Sequence, residues 1–325
     1  MTTAIILGSN GQDGAYLSEV LLERGYSVVG VARQHKPRWV THPAFRHVEL
    51  DVGDHVALDS LLAEIMPTEI YALAAVHGSS GFAYEPVWNR ALTVNVGAVH
   101  TCLEHLRRRA LQDRLFVASS LKAFGNPPPA VIDEETPRLS TCLYSITKNA
   151  ATDLVAYYRL RHGVSTVVGY LFNHDSPRRK QDFFLPTLVA QLAAHLKGQA
   201  PPEAVETLEF WCDWGSSREF MEAIADIMQN SDPQDVVIAS GVPVYAMNLV
   251  EALATAASSP TEHWLKVASR PPHAPAPVPY RARLHRLRGL IGRTLPSDGL
   301  DVALWILRER HSISLARPQG GYSRK

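Results

Sequence analysis

The sequence predicts a doubly wound α/β fold, a parallel sheet covered by helices on both faces, with a smaller substrate-binding lobe appended. Three observations carry this expectation. Short apolar runs of strand length alternate with stretches whose apolar residues recur at helical spacing. The first of these runs ends in a cluster of glycines, and the alternation weakens only after Pro177.

The elements follow in order. Residues 4–7 form an apolar β-type run, and residues 14–24 carry a helical pattern. Residues 27–32 and 47–50 read as the second and third strands, 56–65 as a helix, and 69–75 as the fourth strand. A helix over 94–108, a strand over 115–119, a helix after Tyr144 and a strand over 166–172 continue the alternation. Beyond Pro177, residues 185–196 read as a helix, and 236–239 as a return strand followed by a helix from Met247, so the two lobes interleave along the chain. The proline-rich stretch 271–277 is expected to be a stiff connector. Residues 280–293 are basic, 301–308 read as a helix that packs back, and 319–325 as a disordered tail.

At 325 residues the chain suits two lobes, and 46% apolar residues with zero formal net charge suit a globular protein. That balance argues against bulk electrostatic capture of nucleic acid or membrane, so neither is an expected partner and an anionic ligand needs local groups. Cys102, Cys142 and Cys212 are scattered without paired spacing, which favours reduced thiols. Met1 runs into an apolar stretch without a charged leader, and no segment is long enough to span a bilayer, so a cytoplasmic location is expected. None of the 14 histidines shows metal-ligand spacing, and no metal is expected. Arg107, Arg108 and Arg109 end a helix, where cations meet the negative end of its dipole. Trp211 and Trp214 could stack on a base or pack the smaller lobe.

The turn Gly8-Ser9-Asn10-Gly11-Gln12-Asp13-Gly14 spaces three glycines by three residues between a strand and a helix. Glycine is needed where backbone must turn tightly and approach a pyrophosphate, whose charge then meets free N–H groups and the helix dipole. The context therefore predicts a dinucleotide site at Gly8, Asn10, Gly11, Gln12, Asp13 and Gly14. Where NAD-binding chains present a carboxylate after the second strand, this one has Arg33, which attracts a 2′-phosphate. NADP(H) is the preferred cofactor, with NAD(H) possible, and a solvated surface arginine is the plainer role of Arg33. Asp51 and Val52 close the third strand, where an adenine edge would bind. The expected division is a dinucleotide-binding part over 1–174, with a returning segment near 234–258, and a substrate lobe over 175–233 and 259–318.

Tyr144 and Lys148 lie one helical turn apart and project from one helix face. A lysine cation stabilises phenolate, and a tyrosine so activated can take a proton from a sugar hydroxyl. Ser120, ending the preceding strand, is the natural hydrogen-bond partner of the reacting oxygen; its plainer role is to cap the strand end.

These residues carry a resemblance that covers residues 6–240. The segments Gly11-Gln12-Asp13-Gly14 with Tyr16-Leu17, Pro67-Thr68-Glu69-Ile70-Tyr71, Leu171-Phe172-Asn173-His174-Asp175-Ser176-Pro177-Arg178-Arg179, and Asp213-Trp214-Gly215 with Arg218 resemble the GDP-mannose 4,6-dehydratase family of the extended short-chain dehydrogenase superfamily. The resemblance implies that Leu73, Ala74, Ala75, His174 and Arg179 touch the cofactor and that Asn173 faces a sugar diphosphate. It also implies a nucleotide-diphosphate sugar as ligand, GDP-linked by preference, oxidation at C4, and a homodimer or homotetramer.

Two departures stand out. After the residue that matches Ser120, the family has a small polar or acidic residue and then a glutamate that removes the C5 proton; this chain has Leu121 and Lys122. Leucine cannot transfer a proton, and lysine serves as a base only when its environment favours the neutral amine. Lysine in this slot is similar to the inverting UDP-N-acetylglucosamine dehydratases, whose accompanying aspartate is absent here. Lys122 therefore reads as a C5 base, a phosphate anchor or a solvated cation. Cys212 stands where the family has a diphosphate-binding arginine, a role that would pass to Arg178, Arg218 or the basic stretch 281–293. Substrate contacts are expected from Ser79, Ser80, Asn173, Arg178 and Arg218. Oxidation at C4 by Ser120, Tyr144 and Lys148 is then followed by dehydration or C5 epimerisation through Lys122; the alternatives are a 4-epimerase, a 4-dehydrogenase or a non-catalytic dinucleotide-binding protein.

Overall fold

A computed structural model describes residues 2–79, 81–109, 113–229, 232, 234–268 and 277–319. Ser80, residues 271–276 of the connector and residues 320–325 of the tail lie outside the described residues. The chain runs β1 (Thr3–Leu7), α1 (Gln12–Glu23), β2 (Ser27–Ala32), β3 (Phe45–Glu49), α2 (His55–Ile65), β4 (Glu69–Ala72), α3 (Trp88–Leu92), α4 (Ala98–Arg108), β5 (Arg114–Ser120), β6 (Val131–Ile132), α5 (Leu143–His162) and β7 (Ser165–Leu171). It continues with β8 (Asn173–Asp175), α6 (Phe184–Leu196), β9 (Trp211–Ser216), α7 (Ser217–Met228), β10 (Val236–Ile238), β11 (Pro243–Tyr245), α8 (Ala246–Ala257), β12 (Arg281–Ala282), α9 (His285–Ile291) and α10 (Gly299–His311).

Seven strands form one parallel sheet in the order β10-β7-β5-β4-β1-β2-β3. The order reverses beside β1, so the carboxyl ends of β1 and β4 open a crevice, where ligands of such sheets bind. The central strands are apolar throughout because helices cover both faces: Ile5, Ile6, Ile70, Phe116 and Val168 are all fully buried. Burying each such side chain stabilises the fold by roughly 1.5–3 kcal/mol. A second, three-stranded sheet, β11-β9-β8, joins a separate apolar cluster built from α6, α8 and α10 around Leu188, Leu192, Leu249, Trp264 and Ile306.

Several elements differ from the sequence expectation. The third strand starts at Phe45, and the fourth ends at Ala72, so residues 73–75 leave the sheet and line the crevice. The helix expected over 94–108 begins at Trp88 and is interrupted by a π-helical turn, Thr93–Gly97. Helix α7, within the stretch assigned to the smaller lobe, buries Phe220, Met221, Ile224 and Ile227 in the main core and packs on α1. Its apolar stripe has helical period but follows directly on a strand without a turn signal, which hid the boundary. Helix α8, expected with the return strand, instead packs in the smaller cluster. No described helix is long and apolar enough to cross a membrane.

Candidate active site

The glycine turn is built as a ligand cradle. Gly8 has φ 98°, and a Cβ there would lie 3.0 Å from the backbone of Ala74. A Cβ on Gly14 would come within 2.3 Å of the Gly8 carbonyl oxygen, so helix and strand close up only on glycine. The amides of Gly8 and Ser9 both donate to Val31 O, at 2.9 and 3.1 Å, which fixes the turn to β2. Gly11 caps α1 and is exposed, leaving the first-turn N–H groups and the dipole directed at the crevice. These features fit a pyrophosphate.

The side chains of this turn do other work. Asn10 donates to Gln34 Oε1 (3.1 Å) and Lys36 O (3.0 Å) and accepts from Arg38 N (2.9 Å), bracing the loop after β2 that carries exposed Arg33. Gln12 donates to His174 O (3.2 Å) and accepts from Ser176 Oγ (2.7 Å). Asp13 lies 3.0 Å from His174 Nε2 and accepts from Ser217 Oγ at 2.9 Å. Burial opposes a charge on Asp13, but His174 and Arg179 outweigh it and hold the carboxyl far below the ordinary range. Burial likewise opposes a charged His174, yet Asp13 and the Phe172 carbonyl (2.7 Å from Nδ1) raise its pKa. The pair thus clamps β8 onto the start of α1, and both nitrogens of His174, expected on the cofactor, are committed to protein groups.

Along the crevice Leu73 and Ala74 are half-buried and Ala75 is exposed. Val52 is buried, and Asp51 takes two bonds from Arg90 Nη2, at 2.5 and 2.6 Å. Burial tends to raise the Asp51 pKa, but Arg90 and the Gly53 amide lower it. A Cβ on Gly53 would collide with Arg90 at 2.3 Å, so the glycine admits the guanidinium. Asn95, in the π-turn, accepts from Val76 N (2.7 Å) and donates to Thr147 Oγ1 (3.0 Å), tying the crevice loop to α5. Sequence reasoning missed Arg90 and Asn95; a π-turn is a frequent functional marker but leaves no sequence signature.

Helix α5 begins in a capping box, in which Cys142 Sγ accepts from Ser145 N and Ser145 Oγ accepts from Cys142 N. That start brings Tyr144 and Lys148 side by side, the ammonium 5.6 Å from the phenol ring centre. Tyr144 is 8% exposed and Lys148 5%. Burial raises the phenol's pKa and lowers that of the ammonium to about 8. Lys148 Nζ donates to Ala118 O at 2.8 Å, which orients it toward the end of β5. Ser120 ends that strand and accepts from Lys122 N at 3.2 Å; Leu121 is buried and Lys122 exposed. His77, unforeseen from the sequence, stacks on Tyr144 with ring centroids 4.5 Å apart.

The arginines expected at a diphosphate are engaged by carboxylates. Arg178 is bound to Glu19 at 2.7 Å, and Arg218 to Glu23 at 2.9 Å and Glu222 at 3.2 Å. Local charge complementarity pairs both guanidinium groups with glutamates of α1 and α7. Arg283, Arg286 and Arg293 of the basic stretch are likewise paired, with Asp133, Glu135 and Asp226. Buried Cys212 accepts from the Asn173 amide at 2.6 Å, while Asn173 itself is exposed. Arg179 lies 3.1 Å from Asp175 and covers the Phe183 ring at 3.6 Å. Ser79 donates to Asp182 at 3.3 Å. Among the described residues no group of three His, Cys, Asp or Glu side chains is placed to hold a metal.

Comparisons agree with this architecture. The model of the GDP-mannose 4,6 dehydratase family matches residues 5–272. The GDP-mannose 4,6-dehydratase sdnI of Sordaria araneosa is 33% identical over 259 residues, 77% of this chain and 47% of that protein, so the chain spans about half its length. The human GDP-mannose 4,6 dehydratase is 30% identical over 254 residues, 73% of this chain and 68% of that protein. A UDP-glucose 4-epimerase structure from Thermotoga maritima superposes with TM-score 0.81 at 16% identity, covering 96% of this chain and 99% of that one, a likeness of fold.

Proposed function

The chain belongs to the GDP-mannose 4,6-dehydratase family, and from that premise we propose that it oxidises C4 of a nucleotide-diphosphate sugar, GDP-linked, and then eliminates the C6 hydroxyl as water. The observation that carries this reading is the buried Tyr144–Lys148 pair of α5, which Lys148 ties to the end of β5 in the same parallel sheet whose β1 leads into the glycine turn. The backbone of Gly8 to Gly14 would hold the pyrophosphate of NADP(H), Arg33 its 2′-phosphate, and Lys148 the nicotinamide ribose. When bound, that cofactor would accept the C4 hydride and, once water has left, return it to C6 while C5 regains a proton from solvent, giving the 4-keto-6-deoxy sugar. Tyr144 takes the C4 hydroxyl proton, Ser120 orients that oxygen, and Lys148 supplies the positive charge that favours phenolate. Lys122, exposed in the turn after β5, would remove the C5 proton in this reading.

A cytoplasmic location is supported by the three free cysteines. Self-association as a homodimer or homotetramer is supported by Tyr157 and Leu160 on α5, 54% and 84% exposed.

A 4-epimerase is the second reading, favoured by one observation: Leu121 and Lys122 offer no carboxylate for elimination. The two separate on incubation with NADP+ and GDP-mannose in deuterated water. The dehydratase reading expects a 4-keto-6-deoxy product carrying deuterium at C5. An unlabelled C4 epimer transfers the assignment to the second reading, and absence of turnover with every nucleotide sugar overturns both.

A further inference from the structure

We propose that His77 is a catalytic residue of this site, a neutral imidazole whose Nε2–H donates a hydrogen bond to the sugar's C4 oxygen once that carbon is oxidised. The inference rests on the C4-oxidation reading and adds a group to it.

The geometry starts at Gly78, whose missing side chain leaves room for the Phe82 ring; a Cβ there would collide with it at 2.2 Å. The loop can therefore fold back and bring Tyr84 to His77. Tyr84 Oη lies 2.8 Å from His77 Nδ1 and accepts from the Gly78 amide at 3.4 Å. A backbone N–H can only donate, so the Tyr84 hydroxyl is an acceptor toward Gly78 and keeps its own proton to give to Nδ1. With the hydroxyl donating in that direction, the imidazole proton sits on Nε2. The ring lies against Tyr144, interplanar angle 29°, and is accessible from the crevice. A sugar whose C4 oxygen meets the Tyr144 phenol thus passes beside a second donor.

The groups facing His77 keep it neutral. Tyr144 and Lys148 face it from α5, Lys122 from the turn after β5, and Tyr84 from its own loop. His174, Arg179 and Phe183 face it from β8 and the segment beyond. Desolvation of the ring, then the cations Arg179, Lys148 and Lys122, lower its pKa. A neutral imidazole N–H is suited to polarising a carbonyl rather than to protonating it, as in isomerases that use a lowered-pKa histidine. When C5 loses its proton to the base, the electron pair of the C5–H bond moves into the C4–C5 bond and negative charge develops on the C4 oxygen. His77 keeps its own proton and stabilises that charge. One well-placed donor of this kind accelerates such a step by about 100-fold.

Two measurements test the proposal. Nitrogen NMR of the ligand-free protein is expected to show His77 as the Nε2–H tautomer and unprotonated from about pH 5 to 9, with Tyr84→Phe mixing the tautomers. A dominant Nδ1–H form, or titration near the ordinary histidine value, overturns it. In single turnovers, His77→Ala is expected to slow C5 deuterium exchange about 100-fold while reduction of bound NADP+ changes less than about threefold, and His77→Gln recovers part of the loss. Exchange within about twofold of the wild type, or an equal fall in both steps, contradicts it. If the wild type reduces no cofactor with any nucleotide sugar, the oxidation reading falls, while the tautomer result still decides the state of His77.

Discussion

At the glycine turn the crevice presents backbone: Gly8, Gly11 and Gly14 set the turn, and the side chains of Asn10, Gln12 and Asp13 brace neighbouring segments. On the sugar side, side chains would carry recognition, and there the chain has Leu121, Lys122 and Cys212, with Arg178 and Arg218 paired to glutamates. The difference teaches that a turn defined by backbone geometry is announced by its glycines, whereas the engagement of side chains depends on which partners the fold brings to them. Five perturbations break or sharpen that contrast.

The largest effect is expected from Tyr144→Phe. Loss of the proton acceptor should lower the oxidation step by at least about 1000-fold while NADP+ binding, measured by calorimetry, changes little. Gly14→Val comes next: its side chain would meet the Gly8 carbonyl at 2.3 Å or closer. Overpacking of that kind costs about 1–3 kcal/mol of stability by denaturant titration, and cofactor affinity should fall at least about tenfold.

Lys148→Met should raise the thermal midpoint while abolishing activity, because it removes a buried cation. The sign follows from the ammonium's pKa, about 8 against an ordinary 10.5. Between those values the unfolded chain binds the extra proton, so wild-type stability rises with pH across that window, and the variant should lose the slope. The clamp of Asp13 and His174 behaves differently. Its contribution from Asp13 is complete above the ordinary 3.8 and lost on acidification, and that from His174 is complete below the ordinary 6.5 and lost as pH rises through its raised value. Asp13→Asn should lower the thermal midpoint between these limits and weaken its fall below pH 3.8 and above pH 6.5.

The smallest effect belongs to Arg218→Gln. A half-exposed ion pair is worth about 0–1 kcal/mol, and KM for the nucleotide sugar should move less than about twofold. A tenfold rise would return the phosphate role to this arginine.

Much of the fold was legible because strand and helix periods are local. The seven-stranded sheet was foreshadowed by apolar runs such as 4–7 and 166–172, and the cofactor turn by its glycines. The pairing of Tyr144 with Lys148 followed from helical spacing alone. What stayed hidden depends on long-range packing. Arg90 reaches Asp51 across 39 residues, Asn95 joins Val76 to Thr147, and His77 meets Tyr144 only because Gly78 lets its loop fold back. The arginine pairings were hidden for the same reason: Arg178 and Glu19 are 159 residues apart in sequence, and no local pattern announces their contact.

The central claim is that Tyr144, charged by Lys148, draws the C4 proton from a nucleotide sugar. Stopped-flow absorbance of the reduced cofactor, after mixing NADP+-loaded protein with GDP-mannose, tests it directly. The account predicts a transient rise in the wild type that Tyr144→Phe abolishes; a rise of equal size in that variant would contradict it.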